Sequence, residues 1–475
     1  REGTEGGSGR LVVSAGMRQL SGFDAAFLNI ETATMPQHVA TLVILEAEPR
    51  VGRDEVRRAV EERIHLLTPF RERLVDVPFG FDHPYWVEDP HFDLDYHIRS
   101  ARVAPPGTEE QLLELVSGIH ARPLDRNHPL WEIYAIEGLR RRGVALLIKL
   151  HHSSIDGASG SEVIAALLGA DPAPAPPDST IPIPGRSRML LKGIQGLGRR
   201  PFDAFRVVRD SVELRPWLAR VGRMVGSDPH DAGGEGAIPS LQAPPTRFNA
   251  MVSAGRSLAV GCIPLGGVKA IKDAHGVTVN DVVIAVCAGG LRRYLSMRGE
   301  LPGKPMQAVV PMSVRSADDF ELGNQVTGMI AKLPTDVPEP LARLRTTAAS
   351  MGTAKEHDIV PPELLGGYTQ LTMPVFVTAV ARLASRAEWA ERVRPPMNVV
   401  ISNVAGPRDA WQMAGAEVGN VYPLSTIFDG CALNISVHSY RANLEIGIVA
   451  CSEALPDPAE LMAALETEYQ QLAAL

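Results

Sequence analysis

Two adjacent histidines close an apolar run in VALLIKLHHSSIDGASG, Val144 to Gly160. An imidazole titrates nearer neutrality than any other unperturbed side chain, so a histidine shielded from water and kept neutral can act as a general base. Asp156, four residues after His152, can orient this site in two ways. It can bond a histidine directly, or pair with an arginine and so stiffen the turn. Gly157 relieves the steric limit on a tight turn into whatever follows. The plainer reading is a pair of core or capping histidines. Zinc held by His151, His152 and Asp156 is a further reading, but neighbouring strand residues point to opposite faces and no further ligand cluster is evident, so no metal is expected.

Positioning these groups requires a strand and a helix. VALLIKL is short and apolar enough for a buried strand, and ASGSEVIAALLGA has helical character, which makes 151–157 a strand-to-helix junction of the kind that carries ligand sites in α/β proteins. Upstream, HVATLVILEA (38–47) reads as a strand and RDEVRRAVEERIHLL (53–67) as an amphipathic helix. Thr108-x-x-Gln111 is a capping-box pattern that opens another helix, and WEIYAIEG precedes the histidine strand as a second candidate strand. The proline-rich DPAPAPPDSTIPIPG (171–185) ends this first unit.

A chain of 475 residues exceeds the roughly 250–300 over which one core grows, so two domains are expected. The boundaries fall at 1–16 (a disordered leader or remnant), 17–185, a basic helical linker and loop at 186–250, and 251–475. In the last unit a strand at 256–263, a helix from 278 to about 297, a strand at 306–314 and a helix-rich middle (338–392) precede the β-rich runs MNVVISNVAG, GCALNISVHSY and NLEIGIVAC and a terminal helix. A net charge of -8 and pI near 5.9 argue against nucleic acid as the main partner. The cysteines Cys262, Cys287, Cys431 and Cys451 are widely spaced in apolar contexts and read as buried thiols. No window reaches the roughly 18 apolar residues of a membrane span, and neither a P-loop nor a dinucleotide fingerprint is present.

HHSSIDG matches the HHxxxDG signature of the CoA-dependent acyltransferase superfamily, which includes chloramphenicol acetyltransferase and peptide-synthetase condensation domains. FDAAFLNIE (23–31), PLWE (129–132), TVNDVVIAVCAGGLRRYL (278–295), PMSVR (311–315), GNQ (323–325) and NVVISNVAGPRD (398–409) further resemble the bacterial wax ester synthase/diacylglycerol acyltransferase family, in that family's order and from about Met17 to the C-terminus. The resemblance implies an α/β (α+β) fold of two chloramphenicol acetyltransferase-like domains with a tunnel at their interface. It implies His152 as general base beside His151 and Gly157, and Asp156 as a structural partner of Arg71 or Arg315. Asn280 is the candidate oxyanion donor, although Thr278-x-x-Asp281 also reads as a helix cap. Glu31, Pro129, Trp131, Asp281, Asn403, Gly406 and Pro407 are implied along the substrate path, with Ala405 where the family more often has proline.

The implied reaction is transfer of an acyl group from acyl-CoA, the co-substrate, to diacylglycerol or a long-chain alcohol, with no resident cofactor. The alternatives are a condensation-type enzyme using a carrier-protein thioester and a non-catalytic lipid-binding or droplet protein. Lipid substrates imply a cytoplasmic protein held peripherally at the inner membrane face or on lipid droplets, and Arg186–Arg223, rich in arginine, is either the contact with anionic headgroups or a packed linker.

Overall fold

The computed structural model describes residues 17–46, 48, 51–140, 143–154, 157–169, 184–196, 198, 242–313, 326–356 and 395–475. Asp156, Arg315, the expected leader 1–16, the Gly323–Gln325 phrase, most of the basic stretch beyond residue 196 and the helix-rich middle beyond residue 356 lie outside the described residues.

In chain order the strands are β1 (Met17–Gln19), β2 (His38–Leu45), β3 (Glu72–Val75), β4 (Tyr85–Glu88), β5 (Ile98–Arg102), β6 (Trp131–Glu137), β7 (Ala145–His151), β8 (Arg256–Pro264), β9 (Met306–Ser313), β10 (Val326–Leu333), β11 (Val399–Val404), β12 (Gln412–Met413), β13 (Ala416–Leu424), β14 (Leu433–Tyr440) and β15 (Asn443–Cys451). They form two six-stranded sheets, ordered β12-β13-β2-β7-β6-β5 and β10-β9-β11-β14-β15-β8, and a small sheet β1-β4-β3. The mixed α/β architecture expected from the sequence is present.

The strand VALLIKL is β7, antiparallel to β2 on one side and to β6 on the other. All of its residues are buried, which accounts for an apolar run that does not alternate with polar residues. Leu146, Ile148 and Leu150 face one core with Trp131 and Ile133. Ala145 and Leu147 face a second core, covered by Leu112, Val116 and Ile119 of the helix Glu109–His120. That helix begins at the capping box expected for it, with Thr108 Oγ1 accepting the Gln111 N–H and Gln111 Oε1 accepting the Thr108 N–H. Leu258, Val449 and Cys451 of the second sheet join this same core, so it is the seam between the two sheets.

In the second half, the helix Val279–Met297 packs on the terminal helix Pro458–Ala473, and a buried Arg343–Glu468 pair lies beside their contact. Three cysteines are buried as expected, but Cys262 is exposed: it lies near the end of β8, a strand at the sheet edge, on the same face as Leu258 and Val260.

The chain order of the strands does not follow the sheets. β12 and β13 lie between β11 and β14 in sequence, yet β13 leaves the second sheet and pairs antiparallel with β2, completing the first. β13 crosses close over β15: a Cβ on Gly447 would sit 1.8 Å from the Pro423 carbonyl oxygen, so only glycine fits there. Next to this crossing, Asn420 Nδ2 donates to both oxygens of Glu445 at 3.1 and 3.3 Å.

Burial raises the Glu445 carboxyl to about 7, against the lowering effect of its asparagine hydrogen bonds. The folded chain therefore holds this proton more tightly than the unfolded one. Its stabilising effect is complete below the ordinary glutamate value and lost as pH rises through 7. Glu445→Gln is accordingly expected to raise the urea midpoint at pH 8 and to change it little at pH 5. An equal shift at both pH values would show that the ionisation of Glu445 does not matter.

Candidate active site

The helix Gly22–Ile30 opens on Ser21, whose hydroxyl accepts the Asp24 N–H at 3.0 Å, and it ends at Glu31. A tight turn, bridged between Thr32 and Met35, then leads into β2. Gln37 at the end of this turn is fully buried, and its N–H returns to Glu31 Oε1 at 3.2 Å. Helix and turn thereby bring Phe27, Glu31 and Gln37 against the end of β7, where the signature begins.

His151 is the last residue of β7 and pairs in register with His38. The Ser153 N–H donates to His151 Nδ1 at 3.1 Å and the Ser153 hydroxyl lies 2.8 Å from the same nitrogen. His151 Nε2 faces Glu31 Oε1 at 3.5 Å. His152 follows in the turn, half-buried. Its N–H donates to the Gln37 carbonyl at 2.9 Å. Its ring lies parallel on Phe27, with centroids 4.1 Å apart and planes 7° apart. Main chain and ring plane are thus both constrained, as expected of a group that must point one way. The helix Gly157–Leu168 that follows packs Val163, Ile164, Leu167 and Leu168 into the first sheet's core and also touches β11 of the second sheet.

Burial pushes the Glu31 carboxyl up, but the facing His151 ring and the Arg126 guanidinium outweigh it and lower the value to about 2. Arg126 Nε and a terminal nitrogen reach Glu31 Oε2 at 3.0 and 2.5 Å, and the same terminal nitrogen donates to the Leu28 carbonyl. His38 and His120 stand behind His151 with ring centroids 4.8 Å apart. Burial, with the nearby Lys149 charge, lowers both, and His120 reaches about 3.

The other sequence-derived candidates fall into three places. Asn280 Oδ1 accepts from Asn403 Nδ2 at 3.3 Å, joining the start of the helix Val279–Met297 to the end of β11 across 123 residues of sequence. Its neighbour Asp281 closes the helix cap instead, accepting the Thr278 N–H at 2.8 Å. Gly406 lies under β14, where a Cβ would come within 2.1 Å of the Ser439 carbonyl oxygen, and the Pro407 carbonyl accepts the Arg441 N–H. Pro129 and Trp131 belong to the first sheet: Trp131 is 1% exposed, stacked on Phe70 and His97, with its indole N–H bonded to the Phe70 carbonyl. Arg71 pairs with Glu88 at 3.4 Å. Its pairing with Asp156, like the rival Arg315, lies outside the described residues. Phe27, Gln37, Arg126 and Ser153 were not singled out by sequence. Phe27 lies inside the quoted FDAAFLNIE phrase and Ser153 inside HHSSIDG, whereas Gln37 and Arg126 carry no local signal.

Because the folded-state value of Glu31 is depressed, its stabilising effect is present above the ordinary glutamate value and is lost as pH falls toward 2. Glu31→Gln is expected to lower the urea midpoint at pH 6, and the gap from the parent should narrow at pH 3. A gap that stays constant across this range would mean that the charge contributes nothing.

Comparison with known proteins covers nearly the whole chain. Residues 20–283 match the family model for the wax ester synthase/diacylglycerol acyltransferase catalytic domain, and residues 322–473 match the WS/DGAT C-terminal domain. A putative diacylglycerol O-acyltransferase of Mycobacterium tuberculosis is 34% identical over 93% of this chain and 88% of its own. A probable diacylglycerol O-acyltransferase of the same species is 35% identical over 94% and 97%. The solved wax ester synthase/diacylglycerol acyltransferase of Marinobacter aquaeolei superposes with a TM-score of 0.66 at 29% identity, covering 96% of this chain and 100% of that one. The first condensation domain of the calcium-dependent antibiotic synthetase shares the fold, with a TM-score of 0.57 at 15% identity over 97% and 96% of the two chains. The chain belongs to the wax ester synthase/diacylglycerol acyltransferase family of acyltransferases.

Proposed function

We propose that this protein transfers acyl groups from acyl-CoA to the hydroxyl of diacylglycerol, making triacylglycerol, with long-chain alcohols as a second acceptor class yielding wax esters. The observation that carries the reading is His152, held by its main chain to Gln37 and by its ring to Phe27 at the end of β7. In the proposed reaction the neutral imidazole takes the acceptor's hydroxyl proton as that oxygen attacks the thioester carbonyl. The tetrahedral intermediate then collapses, the carbon–sulfur bond breaks, and His152 returns the proton to the departing CoA thiolate. Acyl-CoA is a co-substrate, and the sequence requires no resident cofactor. Asn280 is the proposed donor to the oxyanion. With Oδ1 engaged by Asn403, its amide nitrogen is the atom left to donate.

The enzyme is proposed to work on the cytoplasmic face of a membrane or on lipid droplets, since its acceptors reside there. Among the described residues no single helix is long and apolar enough to cross a membrane. Residues 186–196 form a helix with Arg186 and Arg188 exposed, and its outer side chains Leu191 and Ile194 are 56% and 54% exposed. Cations beside exposed aliphatic groups suit an anionic lipid surface.

The decisive assay follows release of CoA thiol from palmitoyl-CoA with diacylglycerol and hexadecanol in competition. His152→Ala is expected to lower the rate by about 10²–10⁴-fold. Parental turnover by that variant would remove His152 from the mechanism, and turnover only with a carrier-protein thioester would make the protein a condensation-type enzyme. Flotation with vesicles containing anionic lipid tests the location. Leu191→Glu combined with Ile194→Glu is expected to lower the bound fraction severalfold, and unchanged binding would rule out this helix as the contact.

A further inference from the structure

We infer that Glu31 is a positioning residue: anchored by Arg126, its carboxylate fixes the tautomer of His151 and, through Gln37, the main chain of His152. The inference rests on the reading of His152 as the base and assigns a different task to Glu31 from the substrate contact that the family resemblance implies.

The first support is the full occupancy of the carboxylate. The side chain of Glu31 is 8% exposed. Oε2 takes both contacts from Arg126. Oε1 accepts the Gln37 N–H and faces His151 Nε2. An ionised carboxylate offers about four lone-pair sites, and protein groups approach from as many directions, which leaves little for a substrate.

Hydrogen-bond direction at His151 is the second support. The Ser153 main-chain N–H can only donate, so Nδ1, its acceptor, carries the lone pair. The proton of the neutral ring is therefore on Nε2, the nitrogen turned toward Glu31. His151 has its basic nitrogen facing its own loop, where it cannot serve an acceptor alcohol. Of the two signature histidines, this one is committed to structure.

Continuity supplies the third support. Glu31 Oε1 accepts from the N–H of Gln37, and the carbonyl of that same residue accepts from the N–H of His152. One carboxylate oxygen therefore reaches both signature histidines, the first through its ring and the second through a single intervening residue. Movement of the carboxylate would displace the base, and misplacement of a catalytic group by about 1 Å can cost on the order of 10²-fold in rate.

The test compares parent, Glu31→Ala, Glu31→Gln, Arg126→Gln and His151→Asn. Glu31→Ala is expected to lower kcat about 10-fold or more while KM for acyl-CoA and for the acceptor stays within about threefold, on the scale of misplaced groups. Glu31→Gln should restore part of kcat, because its amide oxygen can still accept from Gln37 and face His151. Unfolding midpoints on the same samples separate this effect from loss of folded protein. If Glu31→Ala does not fold, Arg126→Gln, at the more exposed end of the array, should lower kcat in the same sense.

A readout that needs no turnover is nitrogen-15 histidine NMR, with the His151 signal identified by its absence in His151→Asn. The parent should show His151 protonated on Nε2, and Arg126→Gln or Glu31→Ala should perturb that signal. A rise in KM at unchanged kcat, or a parent His151 protonated on Nδ1, would overturn the inference. If the parent transfers no acyl group to any acceptor, the functional reading fails, and the NMR result still decides the positioning role.

Discussion

A strand bonded on both sides cannot shift its end without breaking a ladder on each side, and β7 is in that position. The chain therefore leaves the sheet at a defined place, His151, in a defined direction. β2, the neighbour of β7, is itself backed by β13 rather than left as an edge. The strand that backs it comes from the other half of the chain. Thus the place where the signature emerges depends on a segment more than 260 residues away in sequence, and the two sheets cannot separate without exposing that pairing.

The same arrangement explains where the polar groups are. Successive residues of β7 alternate faces, so Lys149 and His151 share the face turned to the seam between the sheets, with His38 opposite His151 and Glu132 opposite Lys149. Burial lowers Lys149 to about 8, opposed by Glu132, which lies 3.5 Å away. Its ammonium also donates to the Ile119 and Arg122 carbonyls at the end of the covering helix. A buried charge is tolerated when its donors are met in this way. The polar row from Glu132 to Glu31 is consequently part of the packing between sheet, helix and second domain as well as the surroundings of the signature.

Likeness of fold and likeness of family carry different weight here. Condensation domains superpose at 15% identity, which identifies the two-sheet architecture and nothing about the acceptor. Identity of 34–35% over more than nine-tenths of the chain, with both family domains matched in order, identifies the family. Within that frame, Trp131 sits in an aromatic stack with Phe70 and His97 rather than at an open surface. In this structure it first of all holds β6 to the elements packed beneath it, through its ring and its indole N–H.

Sequence alone determined the features set by local periodicity and local hydrogen bonding. An uninterrupted apolar run of strand length specified β7, Thr108-x-x-Gln111 and Thr278-x-x-Asp281 specified two helix starts, and the HHxxxDG spacing put a histidine pair at a strand-to-helix junction. The sequence reading overlooked β13, because Gly419, Asn420 and Pro423 weaken its strand signal and its pairing with β2 spans several hundred residues. It also could not show that Cys262 faces solvent, that Asn280 meets Asn403, or that Arg126 and Glu31 close around His151. Those outcomes depend on which faces are brought together when the sheets pack, and spacing along a chain carries the angle of a side chain on its own element but not the identity of what that element will meet.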